Sequence, residues 1–375
     1  MIGAGENPFD ELPEALVEEM LNQCDCLGEE LSRSFKRLYE LKSDIRKKLE
    51  KTDILKRDTS LSVAPSHPTS CGVDGSFAIE RLLYTDMVAI AGVAVEGLTP
   101  PTEKRYWPKP HHLSKIFTVS HNEATSLVAR AAMICMELEL AAKAPHDVVL
   151  LDGSLITPII YLNQALSRLR EVPKVLASFF EDLLVSALNS YVIVLRSERT
   201  DKIFAGIPKY TTKKEISKKL SISEEYEDRG LLTFIMEPGE FVGPLPIDPQ
   251  QWHIPSNDKT KNLIDEVISA AKNLHIAYYR PYDHFPALRV EIAQPVATNS
   301  QRLSILFESL RLQCASPSIM EPYPLYLADR MVKHLGTAVP AIRRATTHEM
   351  SQKWENSLGN MYLAMHGYRT ESRGF

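Results

Sequence analysis

Two apolar runs in this chain stop at the same tripeptide: Cys71-Gly72-Val73 leads into Asp74-Gly75-Ser76, and Val148-Val149-Leu150-Leu151 into Asp152-Gly153-Ser154. A short apolar run bounded in this way reads as a buried strand, so both acids are expected at strand ends. A carboxylate there, followed by a glycine that lets a ligand or another backbone come close, suits Mg²⁺ or Mn²⁺ held beside a phosphate. Asp-Gly also closes two-residue hairpins, because it accepts the positive φ such loops need. The second copy fits a hairpin poorly, since Ile156-Thr157-Pro158 follows it in place of an alternating return strand.

The surroundings extend this frame. Ser70 to Ser76, Phe77 to Tyr84 and Met87 to Val95 read as three strands of a meander, followed by a proline-rich loop at 100 to 110. A helix from about Asn122 to Lys143 then leads to the strand that delivers Asp152. Meander, helix, strand, with acids on the first and last, is the order of a ribonuclease H-like fold. The fold class expected is therefore α/β, a ribonuclease H-like mixed sheet flanked by helices. Further strands are expected at Tyr191 to Arg196, Leu231 to Met236, Ile276 to Tyr279 and Leu288 to Ile292. Helices are expected at Lys174 to Asn189, Lys259 to Leu274, Gln301 to Cys314 and Tyr323 to Leu335.

Ahead of this region, Pro13 to Lys51 carries Met20, Cys24, Leu27, Leu31, Ser34, Leu38, Leu41 and Ile45 at alternating spacings of four and three, a heptad seam. It reads as a coiled-coil-like arm or dimer stalk, or as a helix packed along its own domain. The expected domains are an arm over 1–60, a main domain over 61–340 and a C-terminal helical tail over 341–375, with 52 to 69 as a linker.

Composition narrows the function classes. Five scattered cysteines without a CxxC pair give neither a disulfide framework nor a zinc site, which fits a reducing, cytoplasmic setting. The run Met87 to Val95 is too short to span a bilayer. A net charge of −5 argues against indiscriminate coating of nucleic acid, yet leaves room for a basic channel. Lys202, Lys209, Lys213 and Lys214, continued by Lys218 and Lys219, form one basic segment. Lys104, Arg105, Lys109, His111, His112 and Lys115, with Tyr106 and Trp107 among them, form another. Either could grip DNA phosphates, with the aromatics stacking on unpaired bases; either could be a solvated loop. No phosphate-binding GxxxxGK[ST] loop is present, so any ATP use would belong to a partner.

Gly72-Val73-Asp74-Gly75-Ser76, the helix with Glu137 and Glu139, Leu150 to Leu155, Glu237-Pro238-Gly239-Glu240, Arg289-Val290-Glu291 and Tyr323-Pro324-Leu325 occur in an order that resembles the NurA nuclease family, over roughly residues 65 to 340. The resemblance implies a metal-dependent DNA nuclease, dimeric, working with a hexameric HerA-type translocase in DNA repair or anti-phage defence. The chain departs from the family where an Ala-His pair is expected on the last helix, because Ala328 is followed by Asp329. The tyrosine placed eight residues earlier falls at Glu321. Asp329 could replace the histidine as a metal ligand, His334 could reach the site from farther along, or activity could be altered; Tyr323 or Tyr326 could stand in for the tyrosine with a shift.

Phosphodiester hydrolysis needs an activated water and a stabilised leaving oxygen, which two divalent ions about 3.5–4 Å apart supply together. Hard cations favour carboxylate oxygen, which makes Asp74 and Asp152 the expected Mn²⁺ or Mg²⁺ ligands. Glu137 and Glu139 are two residues apart and point about 200° away from each other on a helix, so only one can join them; Glu139 is the preferred candidate. Two other classes compete. One is a catalytically decayed scaffold or DNA-binding subunit of a HerA-like ATPase, and the other is an actin-like phosphotransferase that closes a phosphate loop with Asp-Gly-Ser.

Overall fold

The computed structural model describes residue 9 and residues 12–62, 64, 66–100, 105–222, 226–248 and 251–374. The chain divides into two units, Met1–Thr52 and Asp53–Phe375, so the first boundary falls before the expected residue 60. In the first unit α1 (Glu14–Asn22) gives way at Gln23 to α2 (Cys24–Lys51), which interrupts the expected continuous seam. Met20, Leu27 and Leu31 on that seam are 55%, 53% and 60% exposed.

The second unit is built on one mixed sheet. Its strands are β1 (Leu55–Arg57), β2 (Ser70–Leu82), β3 (Asp86–Glu96), β4 (His111–Val119), β5 (Val148–Asp152), β6 (Ile203–Ile207), β7 (Glu240–Pro246), β8 (Leu274–Arg280), β9 (Leu288–Ala293) and β10 (Gly367–Gly374). Their spatial order is β1-β7-β8-β9-β6-β5-β2-β3-β4, with β10 also against β2. The helices are α3 (Thr125–Lys143), α4 (Thr157–Arg168), α5 (Lys174–Arg196), α6 (Glu215–Lys219), α7 (Asp228–Ile235), α8 (Lys261–Ala271), α9 (Gln294–Ala297), α10 (Ser300–Gln313), α11 (Tyr323–Lys333), α12 (Leu335–Lys353) and α13 (Leu358–Ala364).

The expected α/β architecture is the one observed, and β2 is its axis. Residues 70–80 of this strand are all buried because helices cover both of its faces. A Cβ built on Gly72 would stand 2.6 Å from Leu325 N of α11, and one on Gly75 would stand 2.7 Å from Met133 Cγ of α3. The two glycines are three residues apart and therefore face opposite sides of the sheet. On one edge β2 pairs continuously with β3. On the other edge Ser70–Val73 pair in parallel with Val148–Leu151 of β5, and Ser76–Leu82 pair antiparallel with β10. Asp74 and Gly75 lie between these two ladders, in a notch of the sheet.

Several expected elements differ. Residues 70–76 and 77–84 form one strand, so the meander is β2-β3-β4 and its third member lies in the basic stretch at His111–Val119. Tyr191 to Arg196 is the end of α5, despite its β-branched residues. The apolar face of α5 already runs from Leu176 to Leu195 against α3 and α8, and packing decides over strand propensity. This helix is long and apolar enough to cross a membrane by composition, but half of that stretch is buried within the protein. Leu231 to Ile235 of the expected strand Leu231 to Met236 lie in α7 for the same reason, with Leu231, Leu232 and Ile235 on one buried stripe, and Met236 follows the helix in extended conformation. The expected linker contributes β1, paired with β7, and the expected helical tail ends in β10.

Candidate metal centre

The notch collects acids from four elements. Asp74 comes from β2 and Asp152 from the end of β5, where the parallel ladder with β2 has just ended. From one face α3 brings Glu137, whose carboxylate occupies the space a side chain at Gly75 would fill. From the other face α11 brings Asp329, and Glu321 precedes that helix. One carboxylate oxygen from each of Asp74, Asp152 and Asp329 lie within 4.8 Å of one another. Asp74, Glu137, Asp152 and Lys209 line a cavity of about 270 Å³.

Electrostatics in this cavity are strained by burial. Asp74 is 4% exposed; Gly75 N donates to its Oδ1 at 2.8 Å, while its Oδ2 is buried without a hydrogen-bond partner among the described residues. Burial, reinforced by the Asp152 charge, raises the Asp74 pKa well above the usual carboxylate range. Glu137 is pushed up in the same sense by burial and by Asp74 and Asp152. Burial lifts Asp152 to about 6, even though the Lys209 ammonium pulls the other way. Lys209 follows β6, and its Nζ lies 2.8 Å from Asp152 Oδ2, 2.8 Å from Glu321 Oε2 and 3.4 Å from Asp329 Oδ1. Lys333, one turn beyond Asp329, contacts Asp329 Oδ2 at 2.7 Å.

The backbone around Asp152 is fixed from behind. Gly153 turns the chain at φ +100°. Glu291 Oε2 on β9 then accepts hydrogen bonds from Ser154 Oγ at 2.6 Å and Leu155 N at 2.9 Å. Glu291 is itself held by Arg289 Nε at 2.9 Å, and Arg289 forms a two-pronged pair with Glu215 at 3.0 Å on each arm. The Arg289-Val290-Glu291 motif thus buttresses the loop that carries Asp152.

The expected residues sort unequally. Asp74, Asp152, Glu137 and Asp329 converge, but the preferred Glu139 does not: it pairs with Lys143 at 2.9 Å on another face of α3. Glu137 is selected because only its direction meets the vacancy at Gly75. Asp74 is also not at a strand end, but within β2. His334 is exposed at the end of α11, and Tyr326 OH accepts from Arg330, so neither enters the cavity.

Among the lysines assigned to DNA, Lys202 is 4% exposed and donates to Ala144 O, which removes it from any DNA surface. Lys209 belongs to the acid cluster. Lys213 is exposed and lines an adjoining cavity of about 310 Å³ with Tyr210 and Arg289, while Lys214 is partly buried beside α6. Trp107 is turned inward, stacked on His111 at 4.1 Å, and is not free for bases; Lys104 lies outside the described residues. Glu321, Lys333 and Glu291 join the site residues only through the fold, although Glu321 and Glu291 stand at family motif positions. The spacing of eight between Glu321 and Asp329 was the available signal for the first.

A family model for the NurA domain matches residues 68–334. The fold is similar to that of the NurA nuclease from Sulfolobus solfataricus, 15% identical, covering 92% of this chain and 99% of that one with a TM-score of 0.59. A second NurA crystal structure, 16% identical, covers 84% of this chain and 97% of that one with a TM-score of 0.50. A NurA structure bound to dAMP and manganese has the same identity and coverage at a TM-score of 0.47. No curated protein matches the sequence.

Proposed function

The chain belongs to the NurA family, and from that premise we propose that it is a Mn²⁺- or Mg²⁺-dependent deoxyribonuclease whose centre is the notch at Asp74 and Asp152. The observation that carries this reading is Asp74 Oδ2, a buried carboxylate oxygen without a hydrogen-bond partner that has two further acids beside it. Ionising that buried carboxyl costs several kcal/mol, which is why its pKa is raised, and a hard divalent cation removes the cost. The donor set fits such an ion, with Asp74 and Asp152 holding it and Asp329 within reach.

When bound, the ion supplies Lewis-acid polarisation of the phosphodiester and acidification of a bound water. Glu137, facing Asp74 across Gly75, holds a proton at its carboxylate more readily than an exposed glutamate and is placed to exchange it with water in the cavity. Lys209 and Lys333 neutralise Glu321 and Asp329, so that an anionic phosphate can approach a wall rich in acids. Lys213 and Tyr210, beside the adjoining cavity, extend the DNA path. End-directed cleavage by a cytoplasmic homodimer, coupled to a HerA-like hexameric translocase in repair or anti-phage defence, completes the proposal; the NurA relationship supports it.

A second reading, the decayed scaffold, draws on one feature: Glu321 and Asp329 stand where the family places tyrosine and histidine, and a lysine sits among the acids. Degradation of end-labelled single- and double-stranded DNA in Mn²⁺, by this protein and by Asp74→Ala, separates the two. Cleavage by the first and loss on the order of 10³-fold in the variant supports the nuclease; equal rates remove it.

A further inference from the structure

Two-ion hydrolysis places its metals about 3.5–4 Å apart, sharing a carboxylate. Asp152 is the acid positioned to be shared. On its Asp74 side Asp74 Oδ2 has neither a hydrogen bond nor an ion-pair partner among the described residues, whereas Asp152 Oδ2, Glu321 Oε2 and Asp329 Oδ1, which also lack a hydrogen bond, each face an ammonium. On its other side the corresponding space is filled, because Lys209 Nζ is 2.8 Å from both Asp152 Oδ2 and Glu321 Oε2 and 3.4 Å from Asp329 Oδ1. A divalent ion of Mg²⁺ size on the same oxygens needs contacts of about 2.1 Å and would coincide with the ammonium.

Three observations indicate that Lys209 is built into this position. Its side chain is 23% exposed, and Arg229 Nη1 donates to its backbone carbonyl, which fixes the base of the side chain. Its partners Glu321 and Asp329 come from the segment where the chain departs from its family. Asp329 is further tied to Lys333, so its two oxygens are divided between two ammonium groups.

We propose that Lys209 serves as a permanent cation in the place of a second metal, making this a one-ion centre. Asp74 and Asp152 take the single divalent ion, while Glu321 and Asp329 act as positioning residues for the Lys209 ammonium. The inference rests on the metal-dependent reading above and refines it, replacing the two ions expected from the sequence with one ion and one lysine. Such a centre cannot be filled twice however high the metal concentration. Its charge on the Glu321 side is also set by the chain and not by the supply of metal.

Mn²⁺ binding to the full-length protein tests this directly, by calorimetric titration together with electron paramagnetic resonance, neither of which depends on cleavage. The expected result is one Mn²⁺ per chain with an uncoupled spectrum. Lys209→Met should admit a second ion with exchange coupling to the first, Lys209→Arg should stay at one, and Lys209→Met combined with Glu321→Gln should weaken the second site at least tenfold. Two coupled ions in the unmodified protein overturn the inference and leave the nuclease reading standing. One ion in both the unmodified protein and Lys209→Met also overturns it, provided thermal unfolding shows that the variant is folded. No binding to the unmodified protein overturns the metal-dependent reading itself, and this inference with it.

Discussion

At the first Asp-Gly-Ser copy the backbone stays extended, and Asp74 and Gly75 continue the ladder to Val93 and Gly92 of β3. At the second, the chain leaves β5 after Asp152 and turns through Gly153 at φ +100°, with none of the described residues within 4 Å of the place where a side chain would stand. The first glycine is space for a helix; the second is a backbone angle. One acid is held by the sheet, and the other by a turn braced from β9. Identical tripeptides therefore carry equivalent carboxylates for different physical reasons, and the two should fail differently.

The largest expected effect does not distinguish them: Asp74→Asn and Asp152→Asn each remove a proposed ligand and should lower DNA cleavage on the order of 10³-fold. Their supports differ. Glu291→Gln loosens only the second copy and should weaken Mn²⁺ binding roughly 10–100-fold, as loss of an outer support does. An unchanged affinity in calorimetry would separate the brace from the site.

Glycine substitution reverses the contrast. Gly75→Ala drives a methyl into Met133 and Glu137 and should cost about 1–3 kcal/mol, whereas Gly153→Ala meets no atoms and should cost about 1 kcal/mol for the φ it must keep. Urea midpoints of the two variants rank them, and equal losses would erase the distinction.

The same burial also gives stability a pH slope. Burial raises the Asp152 pKa to about 6, so the metal-free folded chain retains a proton that the unfolded chain releases near pH 4. That contribution to stability is complete below about pH 4 and disappears as pH rises through about 6. Asp152→Asn should flatten this part of the curve, and saturating Mn²⁺ should flatten it in the unmodified protein.

Much of this was legible in the sequence, because the signals were local. Apolar runs ending in an acid located β5, and the helical period located α3, α8, α10 and α11. Choosing Glu137 over Glu139 was not possible, since both lie in an apolar run and only the missing side chain of Gly75, on another element, distinguishes their directions. Lys202 and Lys209 looked alike as members of a basic cluster; burial under Ala144 and contact with three acids separate them, and both are long-range facts. The strand at Gly367–Gly374 is not legible in the sequence, because little in its composition marks it and its partner lies nearly three hundred residues away.

The notch carries a mechanical consequence. β1, β7, β8, β9, β6 and β5 are linked to β2, β3, β4 and β10 through four residue pairs between β2 and β5. Asp74 and Asp152 stand on opposite banks just past the last of these pairs, so an ion gripping both would act as a rivet across the seam. A chelator would then do more than silence the chemistry: it would remove that rivet and leave the seam to its backbone pairs.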